Sequence, residues 1–361
     1  MKEWNKGRPW TGAARAALAA LAMAVAACVL AGPAQAAGAV PDGGPSEGGQ
    51  MVVPLGRTVG IKLFSDGVMV VGLSEVDTGG GKSAPARECG LRAGDIITHI
   101  NSEEVDTIEE VQHVLAQVGG EKMSIRASRE GKPLQLTAQA VQCGPDGAYK
   151  LGAWIRDSMA GIGTMTFYDP STGRFGALGH GINDVDTAQL MPLESGSIMY
   201  SEVAGVKKGV SGQPGELQGA FEVERDLGEL YANTAQGIFG QLTDPAMAEG
   251  LEPMEVARRN QVKTGPAVIR SNIDGQAVEE YQVEIVHVYP AGGDGRDLML
   301  QVTDPRLLET TGGIVQGMGG SPILQDGRLV GAVTHVLVND PTRGYGLLLE
   351  HMLETAQETA G

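Results

Sequence analysis

Aromatic residues make up only 4% of the 361-residue chain, and there are three cysteines. Large rings therefore cannot dominate its cores, and three thiols cannot build a disulfide scaffold. Basic residues are also scarce: 27 Lys and Arg face 44 Asp and Glu, a net charge of −17. That balance excludes a general nucleic-acid binder, which needs positive charge to neutralise phosphates. No Cys/His or His/Glu cluster has metal-ligand spacing, and no P-loop or dinucleotide fingerprint occurs, so neither metal nor cofactor is expected. A long apolar run occurs once, near the N-terminus. Glycine is what the chain has in excess, 54 residues, about twice the usual ~7% and without the three-residue period of collagen. With 42% hydrophobic and 20% charged residues, the chain is not disordered. Glycine supplies the positive φ angles of tight turns, so a turn-rich, mainly β protein is expected, with length for about two domains.

The N-terminus carries an address. Lys2, Lys6, Arg8 and Arg15 precede a nearly uncharged run from Ala16 to about Gly32, and Ala34-Gln35-Ala36 is a small-x-small cleavage pattern. Residues 1–37 thus read as a secretory signal. The run is at the short edge of a spanning helix, which leaves an uncleaved membrane anchor as the alternative. Val25-Ala26-Ala27-Cys28 is a weak lipoprotein pattern; Cys28 reads more simply as a small residue of the apolar run. The chain is expected to be exported or membrane-anchored. Without residues 1–36, 23 basic and 43 acidic residues remain, a net of −20. Cys89 and Cys143 read as small buried thiols rather than a bonded pair. Residues 38–50, rich in Gly and Pro, read as a flexible linker.

Residues 51–143 mix short strands with one helix. Thr107 can cap a helix to Val118, Glu110 lies three residues on, and Ile108, Val111, Val114 and Leu115 share a face. Pro54-Leu55-Gly56-Arg57-Thr58-Val59-Gly60-Ile61 followed by Ser83-Ala84-Pro85-Ala86 and Gly90-Leu91-Arg92-Ala93-Gly94-Asp95-Ile96-Ile97 resembles a PDZ domain of the kind attached to bacterial proteases. The resemblance implies an α+β module in which Leu55, Gly56, Val59, Gly60 and Ile61 form a carboxylate-binding loop and a strand edge for an extended peptide. The ligand would be a C-terminus or an internal segment, its own included.

Residues 144–361 are strand-like with Gly turns, a helical patch at Asp244 to Arg258 and a C-terminal helix at Leu347 to Thr359. Gln316-Gly317-Met318-Gly319-Gly320-Ser321-Pro322 is a tight glycine loop followed by a hydrophobic strand, the shape around a serine-peptidase nucleophile. There, backbone N–H groups approach a developing oxyanion. His180, in a Gly-flanked turn, is the candidate general base. Asp304, before Pro305, is the candidate orienting acid; taken alone it is a turn or cap residue. Asp184 and Asp186 read as turn hydrogen-bonders, with a role as the orienting acid left open. His335 and His351 read as structural.

Taken together, Leu151-Gly152-Ala153-Trp154-Ile155-Arg156-Asp157-Ser158, Gly163-Thr164-Met165-Thr166-Phe167-Tyr168-Asp169-Pro170, the glycine loop and Gly331-Ala332-Val333-Thr334-His335-Val336 resemble the stage IV sporulation protein B serine peptidases. The resemblance implies a PDZ domain followed by a chymotrypsin-like double β-barrel peptidase domain at 144–361. It further implies an extracytoplasmic enzyme, between forespore and mother cell in a spore former, that acts on a membrane-associated regulatory complex to trigger sigma-factor activation. His180 would be the base, Asp304 its orienter, and Gly317 with Gly319 the oxyanion donors. Position 319 is the family's nucleophile position, and it lacks an Oγ here. Three readings stay open: a catalytically dead or altered member, replacement by Ser321, or a different local register.

Overall fold

Unbroken antiparallel pairing closes six strands into a first barrel: Ala153–Asp169, Arg174–Ala177, Gly237–Leu242, Glu216–Thr234, Ser195–Lys207 and Thr58–Leu73, which returns to Ala153–Asp169. A second barrel closes through Gly265–Asp274, Ala277–Val288, Leu298–Val302, Asp340–Leu348, Arg328–Leu337 and Pro322–Gln325. These are the chymotrypsin-like double barrels expected from sequence, seen in a computed structural model that describes residues 49–289 and 295–359. The signal or anchor segment, Cys28 and all but the last two residues of the linker lie outside the described residues.

Period-two patterning builds the barrels. In Ala277–Val288, Tyr281, Val283 and Ile285 face the core while Glu280, Gln282 and Glu284 face out. The few aromatics are concentrated: Phe167, Phe175 and Phe239 are fully buried in the first barrel and its border. The C-terminal helix Leu349–Glu358 packs Leu349, Met352, Leu353 and Ala356 against residues of both barrels, among them Phe167, Phe239, Ala332 and Leu347.

The PDZ module has its own core, in which Val111, Val114 and Leu115 of the helix Ile108–Val118 meet Val68, Ile97, Ile100 and Ile125. The capping box read from Thr107 and Glu110 is formed. Asp95 of the Gly-Asp pair is buried and takes two hydrogen bonds from Arg129, at 2.7 and 2.8 Å, so this motif residue braces the fold. Cys89 and Cys143 are both free thiols. Among the described residues no helix is long and apolar enough to cross a membrane.

Two expectations change. Residues 51–64 do not belong to the PDZ core. Val53, Leu55, Val59 and Ile61 pack with Met165, Phe175 and Ile238 in the first barrel. The PDZ module is therefore inserted between the first two long strands of that barrel rather than standing before the peptidase domain. The Asp244 to Arg258 patch is not a helix but a short 3-10 turn, Pro245–Ala248, and a two-residue strand, Met254–Glu255. Pro245, Gly250 and Pro253 interrupt its apolar period.

Candidate active site

The site lies where the two barrels face each other. Arg174–Ala177 ends in a tight turn in which Gly179 N–H donates to the Ala177 carbonyl at 2.9 Å across Leu178. Leu178 has φ +70°, a strained conformation for a branched side chain. The turn delivers His180 into a cleft of about 410 Å³. The His180 Nδ1 sits 2.9 Å from the Gly181 carbonyl oxygen. A carbonyl can only accept, so Nδ1 carries the proton and Nε2 keeps its lone pair. Burial pushes the imidazole below its ordinary pKa, opposed in part by that Gly181 bond. Burial thus favours the neutral ring and the Gly181 bond fixes its tautomer, which leaves Nε2 free, the form a general base requires.

The glycine loop faces this nitrogen from the second barrel. A Cβ built on Gly319 would lie 2.7 Å from His180 Nε2, and φ there is outside the left-handed region. A side chain at 319 thus points at the base without backbone strain, after a small tilt of the ring. The loop is gripped by one strand of the other barrel. Thr164 N–H donates to Gly319 O at 3.0 Å, Thr164 Oγ1 to Gly317 O at 2.7 Å, and Thr166 Oγ1 to Gly320 O at 2.8 Å. The N–H groups of Gly317 and Gly319 have no acceptor among the described residues, which suits them to an oxyanion.

Ser321 is excluded as a substitute nucleophile. Its side chain is fully buried, and its Oγ bonds Ser271 Oγ at 3.2 Å inside the second barrel.

Asp304 is not brought to His180. It caps the helix Pro305–Thr311, and its carboxylate takes bonds from the Arg306 N–H and guanidinium and from Gln282 N–H. Burial alone would raise its pKa; the Arg306 side chain and those backbone donors outweigh it and hold the carboxyl below its usual range. An Asp-Pro pair at a helix start is an N-cap signal, and here that is the use made of it. Asp304→Ala should lower stability by about 1–2 kcal/mol and leave the His180 titration unmoved, as read by melting curves and imidazole NMR. A shifted His180 titration would restore the orienting role. The depressed Asp304 pKa contributes stability above the unfolded-state value and loses it as pH falls through the folded one.

Asp184 and Asp186 do serve the turn. Buried Asp184 accepts from the N–H groups of Asp186 and Thr187, and Arg156 clamps both carboxylates, Asp186 at 2.8 Å. His335 does belong to the cleft, its ring centroid 5.5 Å from that of His180. His351 instead bonds buried Asp297 at 2.8 Å.

The expected peptide-binding edge is closed. Thr58–Phe64 pairs with residues 158–164 on one side and with 195–200 on the other. Leu55 and Gly56 N–H groups are spent on the Thr166 and Met165 carbonyls. A strand paired on both edges cannot accept a third, so Leu55, Gly56, Val59, Gly60 and Ile61 cannot form the groove. The open groove, about 760 Å³, lies between the helix Ile108–Val118 and the chain from Leu151 to Ile155. There Ala153–Arg156 pairs with Met69–Leu73 on one edge and with no strand on the other among the described residues, and Gly152, at φ +77°, turns the loop before it. Its signal in the sequence is Leu151-Gly152-Ala153-Trp154-Ile155, a glycine loop leading into a strand.

A family model described as SpoIVB peptidase S55 matches residues 147–353, and a PDZ domain model matches residues 76–129. The zinc metalloprotease RasP of Shouchella clausii (strain KSM-K16) is 39% identical over 62 residues, 17% of this chain; the chain spans only 15% of that protein's length. Among solved structures, the PDZ domain of the SdrC-like protein from Listeria monocytogenes is similar over 25% of this chain and 87% of its own (23% identity, TM-score 0.21). The inactive form of the Rv3671c protease from M. tuberculosis H37Rv is similar over 55% of this chain and 85% of its own (13% identity, TM-score 0.31). The HtrA-type protease AlgW with a decapeptide is similar over 56% and 53% (13% identity, TM-score 0.33).

Proposed function

The chain belongs to the SpoIVB peptidase S55 family, and from that membership we propose an exported sporulation-signalling serine peptidase whose nucleophile position is occupied by Gly319. Its substrate would be a protein of a membrane-associated regulatory complex, whose cleavage triggers sigma-factor activation. The single observation that carries the reading is the direction of position 319: a Cβ there meets His180 Nε2.

The chemistry follows from the geometry. With serine at 319, Oγ attacks the scissile carbonyl carbon as its proton passes to His180 Nε2. The Gly181 carbonyl holds the Nδ1 proton throughout. The carbonyl electron pair moves onto oxygen, which takes the N–H groups of Gly317 and Gly319. The tetrahedral species collapses, the C–N bond breaks, and the leaving amine takes the proton from Nε2. Water repeats the sequence to release the acid. With glycine at 319 the first step has no oxygen to make it, so the cleft binds a peptide and leaves it whole.

A second reading, a non-catalytic binding protein that uses cleft and PDZ groove for capture, is favoured by Gly319 itself. Pull-down of a peptide by the present chain, with cleavage only after a serine is restored at 319, supports the first reading for the family and the second for this sequence. Cleavage by the present chain would overturn both.

In that restored chain the pH profile of kcat/KM should keep its acid limb below about 6.5, the ordinary histidine value, because burial depresses His180. A limb above that value would contradict the desolvated base. The same depression makes folding stability from this group complete above the unfolded-state pKa and lost as pH falls through the folded one.

A further inference from the structure

We propose that Asn233 is a positioning residue for His180, acting through the peptide unit that joins Gly181 to Ile182. The proposal rests on the reading of His180 as the general base. With Asp304 capping its helix, the acceptor at His180 Nδ1 is the Gly181 carbonyl, at 2.9 Å. A carbonyl is a weaker partner than a carboxylate, so its hold on the ring depends on how well it is aimed and polarised. The other end of that peptide unit is fixed from the strand Glu216–Thr234, where Asn233 Oδ1 accepts from Ile182 N–H at 2.8 Å. One chain of hydrogen bonds thus runs from His180 Nδ1 through the peptide unit to Asn233. Resonance joins the two ends of a peptide unit, so a hydrogen bond donated by its N–H makes its carbonyl a better acceptor.

Further contacts fix the direction of that unit. Asn233 Nδ2 donates to the carbonyls of Ile182, at 3.0 Å, and Met191, at 2.8 Å. Met191 N–H donates to Ile182 O at 3.0 Å, and Asn183 bridges to Leu190. One side-chain amide therefore closes the base of the loop that leaves His180 and carries Asp184. Ile182 N–H needs an acceptor and the two carbonyls need donors, so the amide can stand only one way round. Gly181 itself presses on the same strand: a Cβ there would lie 2.6 Å from the Thr234 carbonyl oxygen. Because the peptide unit is planar, the Gly181 carbonyl cannot turn away from Nδ1 without pulling Ile182 N–H off Asn233.

The first readout uses the full chain with Gly319 in place and needs no catalysis. Nitrogen NMR at about pH 8, above the ordinary histidine value, reports which ring nitrogen of His180 carries the proton. In Asn233→Ala the ratio of Nδ1–H to Nε2–H rings should fall roughly 5-fold. Asn233→Leu, which fills the space without an acceptor, is read the same way if the alanine variant does not fold. Asn233→Asp keeps an acceptor for Ile182 N–H but has no amide for the two carbonyls. It should melt lower than the unmodified chain and still hold the ratio within about 2-fold. An unchanged ratio in the alanine or leucine variant, or an equal loss in Asn233→Asp, would overturn the proposal. With Gly319→Ser added, Asn233→Ala should lower kcat about 10-fold and leave KM within about 2-fold; a change in KM alone counts against it. If chains with Gly319→Ser react with a serine phosphonate and Asn233→Ala moves neither the ratio nor kcat, the positioning role fails and the peptidase reading stands. If they do not react while the ratio still falls in Asn233→Ala, the peptidase reading fails and the hold of Asn233 on the ring stands.

Discussion

Gly319→Ser should turn a chain inert to an active-site serine phosphonate into one that is labelled at position 319 and cleaves peptides. The gain should be about 10⁴-fold or more, since loss of a nucleophile that acts as a unit with its base costs that much. The corresponding barrier change is roughly 5–8 kcal/mol. Three features make so large a gain expected from one hydroxymethyl group. The backbone at 319 has a φ that any residue adopts. Its Cβ direction already leads to His180 Nε2. The base is held in the right tautomer by Gly181 O, with Nε2 on the side of position 319. Ser321→Ala in the same background should leave labelling intact, because the Ser321 hydroxyl faces Ser271 within the second barrel. If the unmodified chain is labelled and Ser321→Ala abolishes it, the assignment of position 319 fails.

Gly320→Ala should be the most damaging single methyl in the loop. Gly320 has φ +98°, and an added Cβ would run into the Thr164 carbonyl oxygen and lie 2.6 Å from Leu178 N. Both neighbours are backbone atoms of the first barrel and cannot swing aside. The left-handed backbone costs about 1–2 kcal/mol, and forcing the barrels apart adds roughly 1–3 kcal/mol. The melting temperature should therefore fall by roughly 10 °C, and a chain with serine at 319 should lose its activity as well. Gly327→Ala is the control. Gly327 has φ +74° with nothing within 4 Å of the added Cβ, so only the backbone strain, about 1–2 kcal/mol, should appear in its melting curve. Equal losses at the two sites would mean that the close approach of the barrels does not matter.

Much of the site was legible because its signals are local. A glycine-flanked His, a glycine loop before a hydrophobic strand and a Thr–Glu capping box each depend on a few adjacent residues, and each stands where the sequence put it. Asp304 was harder. A carboxylate upstream of a nucleophile loop and a carboxylate at a helix N-cap are the same two letters, Asp-Pro, and only the position of His180 tells them apart. The peptide groove failed for a related reason. Leu55 to Ile61 and Leu151 to Ile155 are both glycine loops entering strands. Which strand keeps a free edge depends on partners about 100 or more residues away in sequence, such as residues 158–164 against Thr58–Phe64.

Composition and short motifs by themselves determined a mainly β chain with no metal or cofactor signature, a PDZ-like segment, and a peptidase loop with glycine at its nucleophile position. The fold decided what those pieces do. Strand closure placed residues 51–64 in the first barrel and made the PDZ module an insertion. Long-range pairing closed one peptide edge and left another open. Packing across the barrel interface aimed position 319 at His180, turned Ser321 inward and kept Asp304 on its helix. A side chain's chemistry is written in its own letter, whereas its direction and free edges are set by atoms that only folding brings near.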